Sequence, residues 1–165
     1  MPGMSDEEVQ AFLAEPGHLV RIGTVDADGM PLVVPAWFTA EDGMFLVTPR
    51  ERSAWFENLR RDPRVCFTVD ESSGPYRKVV LRGSIRVLYS LGHDDAWRDV
   101  YRRITLRYVP PEWGEAYLTD THDEPRALLG LVLSDATMTT WRMPARAGED
   151  PLAVWAPRYY HRSPG

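Results

Sequence analysis

Cysteine is all but missing from this 165-residue chain, and Cys66 is its only one. That excludes an internal disulfide and a cysteine-based metal centre. Cys66 falls in an apolar stretch, VCFTV, and reads as a small core residue. Long hydrophobic runs are missing as well: no stretch approaches the ~20 apolar residues of a spanning helix. The N-terminus lacks the basic-then-apolar pattern of a signal peptide. The expectation is a cytoplasmic protein with no membrane contact. An excess of positive charge is lacking too, since 19 Lys and Arg against 24 Asp and Glu give a net charge of -5. General nucleic-acid binding by charge is disfavoured, and the local arginine clusters suit a compact anion better. The four histidines, His18, His93, His122 and His161, show no metal-ligand spacing such as His-Glu-x-x-His. There is no Gly-x-Ser-x-Gly elbow and no Walker loop. Neither a protein-borne catalytic set nor a metal site emerges, so demanding chemistry would belong to a bound cofactor.

What is present points to one globular domain over residues 1–165, with 44% hydrophobic and 26% charged residues. The stretch around which the rest is organised runs from Gly43 to Asp70, GMFLVTPRERSAWFENLRRDPRVCFTVD. Met44 to Thr48 reads as a buried strand ended by Pro49. Arg50, Glu51 and Arg52 form a charged loop, Ser53 sits at a helix N-cap position, and a helix is expected from Ala54 to Arg61. Asp62-Pro63 closes it and a strand resumes at Arg64. A threonine, two arginines, a serine and a helix N-terminus thus converge on one end of a sheet, a constellation that can hold a phosphate or a similar anion.

Around this centre, Ser5 and Glu8 form a capping-box pattern for a first helix with Val9, Phe12 and Leu13 on one face. His18 to Val25 and Met30 to Ala40 read as strands joined by the Asp26–Gly29 turn. Pro31 and Pro35 indicate an edge position or a bulge for the second strand. Tyr76 to Tyr89 reads as one long strand with a bulge or corner at Gly83. Residues 93–120 read as helical, with Trp97, Val100, Tyr101 and Ile104 on the apolar face of the first helix and Arg98, Arg102, Arg103 and Arg107 on a solvated one. Ala127 to Trp141 reads as a last long strand. Residues 143–165 form an irregular tail with Trp155, Tyr159 and Tyr160 expected to pack on something.

This order of elements, with several local motifs, resembles the pyridoxamine 5′-phosphate oxidase-like family of FMN-binding proteins. RIGTVDADGMPLVVPAWF resembles the family's first hairpin. FLVTPRERSAWFENLRRDPRVCFTVD resembles its phosphate-gripping loop and helix. YRKVVLRG resembles the strand that follows, and TTWR the C-terminal strand. The resemblance implies an antiparallel split β-barrel of Greek-key type, mainly β with flanking helices, and a homodimer with cofactor sites in its interface. It implies that Val34, Pro35, Ala36 and Trp37 line the flavin ring, and that Thr48 sits at the strand end beside it. Arg52 and Ser53 match phosphate-loop positions, and Lys78 matches a position touching the ring system. Trp141 and Arg142 would approach the cofactor of the other subunit. Where the family commonly has a phosphate-contacting lysine, this chain has Trp55, so Arg50 or Arg52 supplies the charge. The implied cofactor is FMN, or alternatively the deazaflavin coenzyme F-420. The implied activity is hydride transfer to a small conjugated substrate. A non-catalytic carrier of flavin, haem or another planar anion stays open. So does a pyridoxamine 5′-phosphate oxidase proper, although MPARAGEDPLAVWAPRYY does not match that enzyme's arginine–histidine substrate set.

Overall fold

The computed structural model of the chain describes residues 3–143. The aromatic tail segment with Trp155, Tyr159 and Tyr160 lies outside the described residues. Helix α1 (Asp6–Ala14) opens on the expected capping box: Glu8 N–H donates to Ser5 Oγ, and Glu8 Oε2 accepts from Ser5 N–H. Its buried face is Val9, Phe12 and Leu13.

Among the described residues nine strands follow, in two antiparallel sheets. β1 (Val20–Val25) and β2 (Pro31–Ala36) form a hairpin, then β3 (Phe38–Glu41) and β4 (Met44–Val47) form another. Helix α2 (Ala54–Arg61) leads to β5 (Arg64–Asp70), which pairs with β6 (Arg77–Ser84). β7 (Arg86–Tyr89) is followed by a 3₁₀ turn, α3 (Arg98–Leu106) and α4 (Pro111–Asp120). β8 (Leu128–Val132) and β9 (Thr137–Arg142) come last among the described residues. The five-stranded sheet has the order β2-β1-β5-β6-β9 and the four-stranded sheet the order β3-β4-β8-β7. Successive pairs therefore alternate between sheets, consistent with a split barrel of antiparallel strands with flanking helices. No helix among the described residues is long and apolar enough to cross a membrane.

Three runs that read as single long strands are each broken, and each break carries the chain from one sheet to the other. Met30–Ala40 breaks at Trp37, Tyr76–Tyr89 at Ile85, and Ala127–Trp141 at residues 133–136. Apolar periodicity cannot reveal such a break, because both halves bury alternate residues in the same core. Gly83 marks the second corner: a Cβ there would come within 2.8 Å of Leu131 Cδ1. The prolines behave as expected, since β2 is an edge strand. The β3–β4 turn has positive φ at both Asp42 (51°) and Gly43 (74°), as a two-residue hairpin of the primed type requires.

The core between the sheets contains fully buried Phe12, Ile22, Phe38, Phe45, Phe67, Leu81, Leu129 and Leu131. Phe45 links Phe38 (4.5 Å between ring centroids) to Phe67 (4.9 Å). A smaller cluster of Leu46, Trp97, Tyr101 and Leu128 lies under α3. Two sequence expectations are corrected here. Cys66 is not a core residue: alternation along β5 turns Val65, Phe67 and Val69 inward and leaves Cys66 half-buried on the opposite face. Arg107 is not part of a solvated face. Its guanidinium donates to the free carbonyls of Leu13 and Glu15 at the end of α1, at 2.7 and 2.9 Å, and lies over the Phe38 ring.

The loop-and-helix motif is tied to the first hairpin by side chains. Asn58, buried on α2, donates to Thr24 Oγ1 (3.1 Å) and Asp26 Oδ1 (2.5 Å). Arg61 donates to the carbonyl of Val25 and to Asn58 Oδ1. The Thr-Val-Asp and Asn-Leu-Arg-Arg segments are thus two halves of one clip.

Candidate functional site

Past the end of β4, the chain runs opposite the segment that enters β8. Ala127 N–H donates to Pro49 O (3.2 Å) and Glu51 N–H to Pro125 O (3.1 Å). Arg50 and Arg126 oppose each other in an isolated antiparallel bridge between these hydrogen bonds. Like charges placed directly opposite repel, so the pair needs an electron-rich partner. Tyr117 on α4 supplies one: its hydroxyl oxygen accepts from Arg50 Nη2 (3.2 Å) and Arg126 Nη2 (3.0 Å). Glu124 adds a carboxylate 3.2 Å from Arg50 and 3.9 Å from Arg126.

The Arg126 side chain is only 7% exposed. One guanidinium nitrogen also reaches Thr48 O, and the guanidinium lies 4.5 Å above the centre of the Tyr101 ring. Its Nε is buried with no hydrogen-bond partner among the described residues. The Tyr101 hydroxyl is 3.1 Å from that of Tyr117. Burial pushes the Tyr117 phenol up, but hydrogen bonds with Tyr101 and Arg50 and the charges of Arg126 and Arg50 outweigh it, and the net shift is down. Tyr101 goes the opposite way: burial, then its bond to Tyr117, holds it above its ordinary value.

These groups form one wall of an open pocket of about 370 Å³, lined by Leu19, Pro35, Ala36, Trp37, Thr48, Arg50, Ser53, Trp55, Tyr101, Tyr117 and Arg126. The volume lies in the range of small-molecule and cofactor sites. Trp37 forms an aromatic wall at the first sheet switch. It stacks on Tyr108 at 5.1 Å with the planes 3° apart, and meets Tyr117 edge-on at 5.6 Å. Tyr108 is itself fixed by donating to His18 O (2.8 Å) and accepting from Phe38 N–H (3.1 Å). Ser53 occupies the N-cap of α2, but its hydroxyl makes no capping bond, contrary to the pattern read from the sequence. It lines the pocket at the helix start, where N–H groups lack intrahelical acceptors.

The structure thus brings Pro35, Ala36, Trp37, Thr48, Arg50, Ser53 and Trp55 together. Trp55 does two things: it lines the pocket and, at 9% exposure, it belongs to the core cluster. Five other expected residues do not line this pocket. Val34 turns its side chain toward the core, because β2 alternates. Arg52 is exposed and lines an adjacent hollow with Glu51, Asp123 and Glu124. Lys78 and Trp141 face each other across β6 and β9, with the Lys78 ammonium 5.9 Å from the Trp141 ring centre. Lys78 is three strands from β2 and Trp141 four, roughly 14 and 19 Å at ~4.8 Å per strand. Arg142 lies beside Glu8 of α1, at 3.6 Å. Leu19, Tyr101, Tyr117 and Arg126 were not legible as site residues. The tyrosines read as helix residues, and Arg126 carries no periodic signal, since only the bridge to Arg50 gives it meaning.

One cluster outside the pocket has metal-ligand residue types: Glu15, His18 and Glu71 bring ligand atoms within 4.8 Å of one another. Arg77 lies between the carboxylates, donating to Glu15 at 2.7 and 2.8 Å and to Glu71 at 2.6 and 3.0 Å. This one guanidinium engages both carboxylates and offsets one of their two charges, and it also covers the Phe12 ring at 4.6 Å.

The same architecture recurs in solved structures. A conserved hypothetical protein of Mycobacterium tuberculosis is 23% identical with a TM-score of 0.67, over 84% of this chain and 85% of the other. An FAD and heme binding protein of Mycobacterium smegmatis is 22% identical with a TM-score of 0.63, over 84% and 71%. A structure described as an F-420 reductase is 20% identical with a TM-score of 0.51, over 86% and 94%. At these identities the likeness is one of fold. No curated protein matches the chain. A family model described as pyridoxamine 5′-phosphate oxidase matches residues 5–139, most of the sequence. The chain is a member of the pyridoxamine 5′-phosphate oxidase family.

Proposed function

We propose that this protein is a reductase that uses FMN or the deazaflavin coenzyme F-420 and acts on a small conjugated substrate. The observation that carries this reading is the donor set of the pocket. Arg50, Arg126, Ser53 and the start of α2 face a cavity with aromatic walls at Trp37 and Trp55. A planar ring system with an anionic tail fits such a set: the aromatics take the ring and the guanidiniums and helix start take the charge. The buried Nε of Arg126, without a partner among the described residues, is consistent with a site whose polar groups are completed by a ligand. An FAD and heme binding protein and an F-420 reductase among the structural relatives support the same ligand class.

Bound in this way, the cofactor supplies hydride-transfer chemistry. The chain's own residues do the rest. Arg50 and Arg126 hold negative charge, Trp37 and Trp55 exclude water from the ring, and Thr48 and Ser53 orient the polar end. A second copy of the chain completes the reading. The outer face of the five-stranded sheet carries Val25 and Val33, 47% and 62% exposed, and a hollow of about 740 Å³ lined also by Cys66 and Gly83. Apolar area of that kind suits a homodimer, in which Lys78, Trp141 and Arg142 would serve the neighbouring subunit's pocket.

The test is the visible spectrum of the protein mixed with FMN or F-420, followed on addition of a reductant and then of a conjugated probe. A bound, reducible cofactor that is reoxidised by the probe supports the reductase. Binding without turnover on any probe indicates a carrier, and binding of neither cofactor contradicts both.

A further inference from the structure

Tyr117 Oη lies within hydrogen-bond distance of Arg50 at 3.2 Å, Arg126 at 3.0 Å and the Tyr101 hydroxyl at 3.1 Å. A neutral phenol oxygen has two lone pairs and one proton. The guanidiniums do not give up protons, so they engage both lone pairs. What remains available is the Tyr117 proton. Its acceptors are Tyr101 Oη or a molecule in the pocket that both rings line. Once that proton leaves, all three neighbours donate to the oxygen with no heavy atom having to move.

We propose that Tyr117 is the proton donor of this pocket: its O–H protonates the substrate atom that becomes basic as the adjoining carbon receives hydride. The inference rests on the reductase reading above. The balance closes with a conjugated C=C–C=O substrate. With a reduced flavin or deazaflavin held in the pocket as the hydride source, the β-carbon would gain hydride and the C=C π pair would move toward the α-carbon and carbonyl. The Tyr117 O–H bond breaks, its proton forms the new C–H or O–H bond, and the bonding pair stays on the Tyr117 oxygen. Water at the open mouth returns a proton to the phenolate afterwards.

The charged surroundings favour this direction. Arg50 faces the hydroxyl from the end of β4, Arg126 from the entry to β8, and Tyr101 from α3. Glu124 is the nearby carboxylate, and it pairs with the two guanidiniums. Asp94, Arg98 and His122 lie behind Arg126 around a separate void of about 10 Å³. The net downward shift of the phenol agrees with the geometry.

Two measurements test the proposal. In the cofactor-free protein, phenolate absorption is followed from neutral to strongly alkaline pH. Wild type should show one tyrosine ionising ahead of the others. Tyr117→Phe should remove that step, and Arg50→Gln, a change at an exposed position, should move it to higher pH. Persistence of the early step in Tyr117→Phe overturns the proposal. In the loaded protein, with cyclohex-2-enone as the probe, single-turnover oxidation of the reduced cofactor should slow by ~100-fold or more in Tyr117→Phe. Cofactor affinity, titrated in parallel, sets the concentration at which both proteins are compared fully loaded. The wild-type rate should fall as the phenol ionises, and the variant should lose that pH dependence. Equal turnover by both proteins sinks the role of Tyr117 alone. Failure of wild type to bind either cofactor, or to reduce the probe, sinks the reductase reading and this inference with it.

Discussion

Arg50 and Arg126 stand opposite each other across a single antiparallel bridge, and both donate to one atom, Tyr117 Oη. Two guanidiniums on facing strands repel, and one of them is buried. A phenol and a half-exposed Glu124 offset that repulsion only in part. An anion in the adjoining pocket would complete the arrangement, so ligand affinity should follow this pair.

Arg50→Ala should weaken cofactor binding by about 1.5–3 kcal/mol, the range for hydrogen bonds to charged groups. Arg52→Ala should change it by less than about 0.5 kcal/mol, the usual scale for an exposed substitution away from a site. Titration of FMN or F-420 into both variants separates them. Equal losses would return Arg52 to the phosphate position that the family resemblance assigns it.

Asn58→Ala should cost about 1–3 kcal/mol of stability, because it leaves buried Thr24 and the Asp26 carboxylate without their shared donor. Asn58 does not line the pocket, so cofactor affinity should stay unchanged. Denaturant melts together with a binding titration check both halves of this expectation.

Much of this was legible in the sequence, and the rest was hidden for physical reasons. The bounds of α2 follow from Ser53 and Asp62-Pro63, the capping box from Ser5 and Glu8, and the edge strand from Pro31 and Pro35. The motifs used to recognise the family, around Thr24–Asp26 and Asn58–Arg61, are visible because one hydrogen-bonded clip fixes both. The sheet switches at Trp37, Ile85 and residues 133–136 were not legible, since an apolar run continues through each corner. Within the pocket, local signals find Thr48, Arg50 and Ser53, which share one loop. Arg126 and Tyr117 reach it only through the bridge between residues 50 and 126 and the packing of α3 on α4, contacts between positions distant in sequence.

Acid stability should depend on Arg77. Its hydrogen bonds hold the Glu15 and Glu71 carboxyls below their ordinary value. A depressed carboxylate contributes stability above its unfolded pKa, about 4.3 for glutamate, and loses it as pH falls through the lower folded value. The melting temperature should therefore drop through the acid range below about pH 4.3. Arg77→Met should lower stability at neutral pH by about 2 kcal/mol and flatten the drop. Parallel acid slopes for the two proteins would show that other groups govern acid unfolding.

Trp55→Lys restores the residue type common in the family but places an ammonium at a position that is 9% exposed and part of the core cluster. The variant should lose about 3 kcal/mol of stability, mainly from lost aromatic packing, instead of simply gaining a phosphate contact. Thermal melts with and without FMN decide between the two effects. An unchanged melt with tighter FMN binding would mean that the lysine reaches the pocket without disturbing the core.

The central claim is that the pocket walled by Trp37 and Trp55, with Arg50 and Arg126 on one side, holds the cofactor. Its most direct test is a titration of FMN and of F-420 into the purified protein, read by tryptophan fluorescence and visible absorption, with Trp37→Phe and Arg126→Gln alongside. The account predicts saturable binding of one of the two at one molecule per chain, with quenching that shrinks in Trp37→Phe and affinity that falls about tenfold or more in Arg126→Gln, as loss of a charge-assisted hydrogen bond requires. Binding of neither cofactor, or saturable binding indifferent to both substitutions, would contradict it.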